Sequence, residues 1–228
     1  MADRTAKDAM YDAFAEVAKA LSSGRRAEIA DLLVQGERPV EEIAVEIGQS
    51  VANTSHHLRA MARAGLVTTR REGTHIFYRL ASERVADLWV AMRDVAVRHV
   101  AGLDHLTRAY LGDPDGVDVV SREELAARLD RGEVLVLDVR SAAEYESGHI
   151  KGAISMPVAE LHRHLAALPP GAEVVAYCRG PYCVYSHEAV RELTALGFRA
   201  RRLIDGYPEW KRAGLPVAAP AGAGRSLP

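Results

Sequence analysis

The apolar pattern of this chain changes character once, at Leu111-Gly112-Asp113-Pro114-Asp115-Gly116-Val117. Two glycines, a proline and two aspartates in seven residues are turn and linker chemistry. Before this seam the apolar spacing is almost wholly helical; after it, short apolar runs alternate with helical patterns. The sequence therefore predicts two domains, residues 1–110 and 118–218, with a linker at 111–117 and a flexible Ala-, Gly- and Pro-rich tail at 219–228. The length of 228 residues suits two domains of ordinary size.

Hydrophobic residues make up 48% and charged residues 26%, a globular balance that excludes fibrous and wholly disordered chains. No apolar run approaches a bilayer span, and Met1-Ala2-Asp3-Arg4 is too polar for a signal peptide, so a cytoplasmic protein without a membrane partner is expected. The net charge of −2 does not by itself announce a nucleic-acid binder. There are two cysteines, Cys178 and Cys183, too few for a disulfide framework.

In the first domain, Met10, Phe14, Val17, Ala18 and Leu21 mark one helix face. Helices follow at about Arg25 to Val34 and from Pro39 or Val40 to Ile47. The next helix has Ser50 as N-cap, with Leu58, Met61 and Leu66 on its inner face. Two short strands, 66–69 and 76–80, turn around Glu72-Gly73. One long helix is predicted over about Ser82 to Tyr110, because the apolar period continues for seven turns.

A short helix, a tight turn, a second helix and a two-stranded wing make the winged helix-turn-helix order. The second helix presents Val51, Asn53, Ser55 and His56 outward, small or polar enough for a major groove, where Asn can bond adenine and Val can touch a thymine methyl. Between Val51 and Leu80 stand Arg59, Arg63, Arg70, Arg71 and Arg79 against one acid, Glu72, a local excess suited to phosphates. The alternative is an interaction module whose arginines are a solvated face.

The run from Ile47 to Arg59, IGQSVANTSHHLR, resembles the recognition-helix signature of the ArsR family of bacterial repressors. Ala64-Gly65-Leu66-Val67 and Arg71-Glu72-Gly73 also resemble its helix end and wing. The resemblance covers roughly residues 8–108 and implies a homodimer on a double-stranded operator, built on the first and last helices. Ser50, Val51, Asn53, Ser55, His56, Arg59, Arg70 and Arg71 are the candidate DNA-binding residues. Val51 stands where many members carry Gln, so base preference does not transfer. Many members sense metals through thiolates on the short third helix; here Glu42-Ile43-Ala44-Val45-Glu46 has none. His99 and His105, six apart, do not share one helix face one turn apart. No metal site and no cofactor are expected.

The second domain opens on Ser121-Arg122-Glu123-Glu124, a capping box, and Ser141-Ala142-Ala143-Glu144 is another. Val134 to Leu137 and Glu173 to Tyr177 read as buried strands, with helices near Val158 to Leu168 and Ser186 to Leu196. This alternation predicts a small α/β domain with a mostly parallel sheet.

Cys178-Arg179-Gly180-Pro181-Tyr182-Cys183 lies between a buried strand and a helix. Converging backbone N–H groups, a helix N-terminus and Arg179 would all favour the thiolate, which is the nucleophilic form, in a cradle fit for an anionic substrate. These residues look like the six-residue active loop of the rhodanese family, supported by Leu137-Asp138-Val139-Arg140, Glu144-Tyr145, Gly148-His149-Ile150-Lys151-Gly152-Ala153 and Gly206-Tyr207-Pro208-Glu209-Trp210. The resemblance spans about 118–217. It implies that Cys178 takes sulfane sulfur from thiosulfate, a persulfide or a polysulfide and passes it to an acceptor thiol. Asp138 and Arg140 are expected to brace the loop, with His149 packing a turn, and Gly180, Pro181 and Tyr182 to shape it. Cys183 either resolves a Cys178 persulfide or packs the loop.

Together these features predict a DNA-binding transcriptional regulator, a repressor, whose rhodanese domain senses or carries sulfane sulfur on Cys178. The alternative is a sulfurtransferase enzyme localised by its winged helix.

Overall fold

A computed structural model describes residues 3–112, 117–164, 168–169 and 171–218. The chain forms two compact units, Met1–Val100 and Ala101–Pro228. Residues 113–116 of the expected linker and the expected tail at 219–228 lie outside the described residues. No helix among the described residues is long and apolar enough to cross a membrane.

The first unit runs α1 (Arg4–Leu21), α2 (Gly24–Leu33), β1 (Arg38–Pro39), α3 (Val40–Glu46), α4 (Val51–Arg63), β2 (Val67–Glu72), β3 (His75–Leu80) and α5 (Glu83–His99). Ser50 starts α4 by accepting the Asn53 N–H at 3.2 Å, one of the helix's otherwise unpaired donors. Ile29, Leu33, Ile43, Leu58, Met61 and Leu66 form the core that fixes α4 against its neighbours. The wing is an antiparallel β2–β3 hairpin, with Thr69 opposite Tyr78 and Arg70 opposite Phe77. A third strand, β1, pairs with β3 through Arg38 and Pro39, and was invisible to a period-2 reading because it has two residues.

The helix expected over Ser82 to Tyr110 is two helices. α5 stops at His99, Val100 is extended, and α6 (Leu103–Leu111) starts after Gly102. Gly102 has φ +80°, a left-handed backbone that costs a residue with a Cβ roughly 1–2 kcal/mol. α6 belongs to the second unit, where Arg191 donates to the Leu111 carbonyl at 2.9 Å. The apolar period survives the break, so periodicity alone cannot find it.

The second unit continues with β4 (Val119–Val120), α7 (Arg122–Asp130), β5 (Leu135–Asp138), α8 (Ala142–Ser147), β6 (His149–Ile150) and β7 (Ile154–Ser155). Then come α9 (Leu161–His164), β8 (Glu173–Tyr177), α10 (Val184–Ala195), β9 (Arg199–Leu203), α11 (Tyr207–Arg212) and β10 (Val217–Ala218). Five strands form a parallel sheet in the order β4-β9-β8-β5-β7. The helix expected from Val158 to Leu168 is a 3-10 turn, Val158–Glu160, followed by one turn of α9, and residues 165–167 lie outside the described set.

Alternation along β8 explains why its sequence is apolar throughout. Val174, Ala176 and then Cys178 join the cluster holding Ala189, Val190 and Leu193 of α10. Val175 and Tyr177 join the opposite cluster with Leu125, Ile150 and Trp210. A sheet covered on both faces has no position for a solvated side chain.

Each unit holds one of the two tryptophans, Trp89 and Trp210. Leu193→Ala removes a wholly buried side chain and should lower the urea stability reported by Trp210 by about 2–5 kcal/mol. The transition reported by Trp89 should stay in place; a common shift of both would mean that the units unfold as one. His187 on α10 is 3% exposed, with neither ring nitrogen hydrogen-bonded. Burial first, then the charges of Arg202 and Arg191, push its pKa down to about 4. The folded chain thus keeps His187 neutral while the unfolded chain takes up a proton below its ordinary value near ~6.5. Stability of the second unit should fall as pH drops from ~6.5 towards 4, by at most roughly 3 kcal/mol, and His187→Leu should flatten that slope in pH-dependent urea titrations.

Candidate functional site

The chain carries two candidate sites, one in each unit. In the first, α4 buries Thr54, Leu58 and Met61 and turns Val51, Asn53, His56 and Arg59 to solvent, with Ser55 half-buried. The hydroxyl of Ser50 is used as the cap, and the Asn53 amide donates to Gln49 Oε1 at 3.0 Å. Arg59 Nε reaches back to the Ser55 carbonyl at 3.1 Å, leaving its other nitrogens at the helix surface.

The wing treats its two adjacent arginines differently. Arg70 is clamped by Glu37, at 2.8 and 3.0 Å, and by Glu72, and its guanidinium lies 4.7 Å from the Phe77 ring centre. Hydrogen bonds to these two carboxylates hold its pKa above the ordinary arginine value. Arg71 donates its Nε to the Gly73 carbonyl in the turn. A phosphate would have to displace carboxylates to use Arg70. The sequence could not announce this, because Glu37 is 33 residues away and outside the basic stretch.

The second site grows from the C-terminal ends of β5 and β8. Cys178 directly follows β8 with 1% of its surface exposed, and Cys183 is the half-buried N-cap of α10. The loop between them closes on itself: the Cys183 N–H donates to the Gly180 carbonyl at 3.2 Å, and Cys178 and Cys183 are joined as a disulfide with Cα atoms 6.2 Å apart.

Three groups hold this loop from outside. The Tyr207 N–H donates to the Cys178 carbonyl at 3.0 Å, and Glu209 caps the Gly206 N–H at 3.1 Å. Gly206 lies so close to the backbone of Arg179 and Gly180 that any Cβ there would collide with it. The third group is Glu144. Arg179 donates Nε and Nη2 to the two Glu144 oxygens, at 2.8 and 3.0 Å. Glu144 is 4% exposed and also accepts from the Ser141 hydroxyl and N–H, completing the capping box of α8. Sequence reasoning saw Glu144 as a helix cap and Arg179 as support for a thiolate. The structure places a matched charge beside that arginine, and no spacing in the sequence links positions 144 and 179.

Asp138 and Arg140 are wholly buried and paired through both Nε and Nη2, at 2.9 and 2.6 Å. Arg140 also donates to the Gly148 carbonyl at 2.8 Å. The Tyr177 hydroxyl donates to Asp138 and accepts from the Ile150 N–H. Burial works against the charge on Arg140, but the hydrogen bonds and charge of Asp138 outweigh it and its pKa is raised. Burial and the Asp138 charge likewise raise Tyr177, so its hydroxyl keeps its proton. Asp138 and Arg140 thus tie the end of β5 to Tyr177 of β8 and to Gly148. His149 is fixed by the Tyr145 carbonyl at 2.9 Å and stacks on the Tyr145 ring. No group of three or more His, Cys, Asp or Glu that could hold a metal ion is found among the described residues.

These geometries accord with what the chain is similar to. Residues 23–69 match the family model for the bacterial regulatory proteins of the arsR family, and residues 121–213 match that for the rhodanese-like domain. An HTH-type transcriptional regulator of Mycobacterium tuberculosis is 47% identical over 220 residues, covering 96% of both chains. A sulfurtransferase of Allochromatium vinosum is 34% identical over 108 residues, 46% of this chain and 99% of that protein. The solution structure of a homodimeric winged helix-turn-helix DNA-binding domain from Mycobacterium bovis is 47% identical, covers 44% of this chain and 91% of that one, and has a TM-score of 0.41. The chain therefore belongs to the arsR family of bacterial DNA-binding regulators, with a rhodanese-like domain following its winged helix.

Proposed function

We propose that this chain is a cytoplasmic, homodimeric repressor that binds an operator through α4 and the wing and is controlled by sulfane sulfur arriving at Cys178. The observation that carries the reading is the pairing of Cys178 with Cys183 inside a braced loop at the start of α10. The Cys178 thiolate attacks the outer sulfur of a donor and becomes a persulfide. The Cys183 thiolate then attacks Cys178 Sγ and expels hydrosulfide, leaving the disulfide. The donor's sulfur is the oxidant, and no other is needed.

Support for the dimer comes from an unpartnered apolar surface. α5 has no buried residue within the chain, and α1 buries only Ala20 and Leu21. Met10, Tyr11 and Phe14 on α1 and Leu88, Met92 and Val95 on α5 are between 36% and 62% exposed. A run of this kind marks an interface, here with a second copy.

Control requires that the reduced and modified loops differ in their stability with DNA bound, and typical coupling is about 1–3 kcal/mol, or roughly 5–150-fold in affinity. DNA-shift titrations of the reduced, persulfidated and disulfide forms should differ within that range, and Cys178→Ser should abolish the difference. Identical affinities across all three forms would overturn the regulatory reading. The likeness to a sulfurtransferase supports a second reading, in which Cys178 passes sulfur on to an acceptor thiol as an enzyme. Steady turnover with unchanged operator binding would favour it. On the DNA face, Arg71→Ala should weaken binding to all sequences and reduce the salt slope by about one phosphate contact. Arg70→Ala should change that slope less, because Glu37 and Glu72 already hold its charge.

A further inference from the structure

Two arginines at and behind the cysteine loop are each bonded to a carboxylate. Arg179, its one charged residue, is bonded to buried Glu144. Arg140, against the ring of Tyr207 whose backbone N–H holds the Cys178 carbonyl, is bonded to Asp138. Two positions of the backbone cradle offer no donor: Pro181 has no N–H, and the Cys183 N–H is used on the Gly180 carbonyl. The N-terminus of α10 adds the equivalent of about half a positive charge. That suits one thiolate.

From this balance we infer that the loop selects sulfane donors that react as uncharged or singly charged species, hydropersulfides and hydropolysulfides, and rejects the dianion thiosulfate. Buried Glu144 sets that selectivity by neutralising Arg179. The inference rests on the sulfur-accepting role of Cys178 proposed above. With a hydropersulfide R–S–SH, the Cys178 thiolate bonds to the outer sulfur, the R–S to S bond breaks and R–S⁻ leaves. The site then carries the negative charge of one group at a time. With thiosulfate, the thiolate and the dianion together would bring three negative charges to a loop whose own arginine, and Arg140 behind Tyr207, are already bonded to carboxylates, and sulfite would leave as a second dianion. Selectivity of this kind comes from a feature that disfavours the competitor, not from added affinity for the preferred donor.

The test uses the full chain carrying Cys183→Ser, which holds the transferred sulfur on Cys178. Intact-protein mass spectrometry follows addition of one sulfur atom from 2-hydroxyethyl hydropersulfide or from thiosulfate, each rate divided by that donor's rate with free cysteine. The normalised hydropersulfide rate should exceed the thiosulfate rate by about tenfold or more. Adding Glu144→Gln, which keeps the side-chain shape and removes the carboxylate charge bonded to Arg179, should raise the thiosulfate rate about tenfold relative to the hydropersulfide rate. Glu144 is buried, so Cys183→Lys provides a second route: it adds a cation without touching the Ser141–Glu144 capping box of α8 and should shift the donors in the same sense. Equal normalised rates in the Cys183→Ser chain, or equal shifts of both donors in both charge variants, would overturn the inference. If neither donor adds sulfur, the sulfur-accepting role falls and takes the selectivity with it. If the selectivity holds while DNA affinity is indifferent to loading, the regulatory reading alone falls.

Discussion

A guanidinium and a carboxylate with no solvent access sit at the crossing point of the second unit. Asp138 ends β5, Arg140 lies two residues on, Tyr177 ends β8, Gly148 caps the end of α8 and Ile150 lies in β6. The Tyr207 ring lies 4.4 Å from Arg140, and the Tyr207 N–H holds the Cys178 carbonyl. Breaking one side of such a pair leaves a buried charge and costs about 3–5 kcal/mol, far more than its net contribution when intact. The chain therefore gains position from it more than stability. The loop carrying Cys178 is seated on groups that cannot move independently.

The same economy of charge appears in the first unit, with the opposite exposure. Arg70 is matched by Glu37 and Glu72, while the neighbouring Arg71 braces the turn through its Nε. The wing thus keeps its shape with one arginine and presents another. A local count of arginines overstates what is available to a phosphate, just as net charge understates it.

Much of this was legible in the sequence, and the legible parts share a physical cause. Ser50, Ser141 and Glu144 announced their helices because caps act over three residues. Val174 to Tyr177 announced a strand buried on both faces because every position is apolar. What stayed hidden acts over distance or through tertiary packing. Glu37 meets Arg70, and Glu144 meets Arg179, across 33 and 35 residues. The two-residue β1 is too short for any period. The break between α5 and α6 hides inside an unbroken apolar pattern, because α6, with Leu111 buried, belongs to the second unit while α2 and α4 build the core of the first.

That break also fixes where the chain can be divided. Gly112 and the residues after it look like the natural boundary, yet a fragment ending there would carry α6 away from the Arg191 side chain that holds its last carbonyl. Leu111, buried in the whole chain, would then face water at the end of a nine-residue helix too short to persist alone. A cut between Val100 and Gly102 leaves each helix with its own partners. The joint between the halves is three residues long and lies ahead of the segment that most resembles a linker.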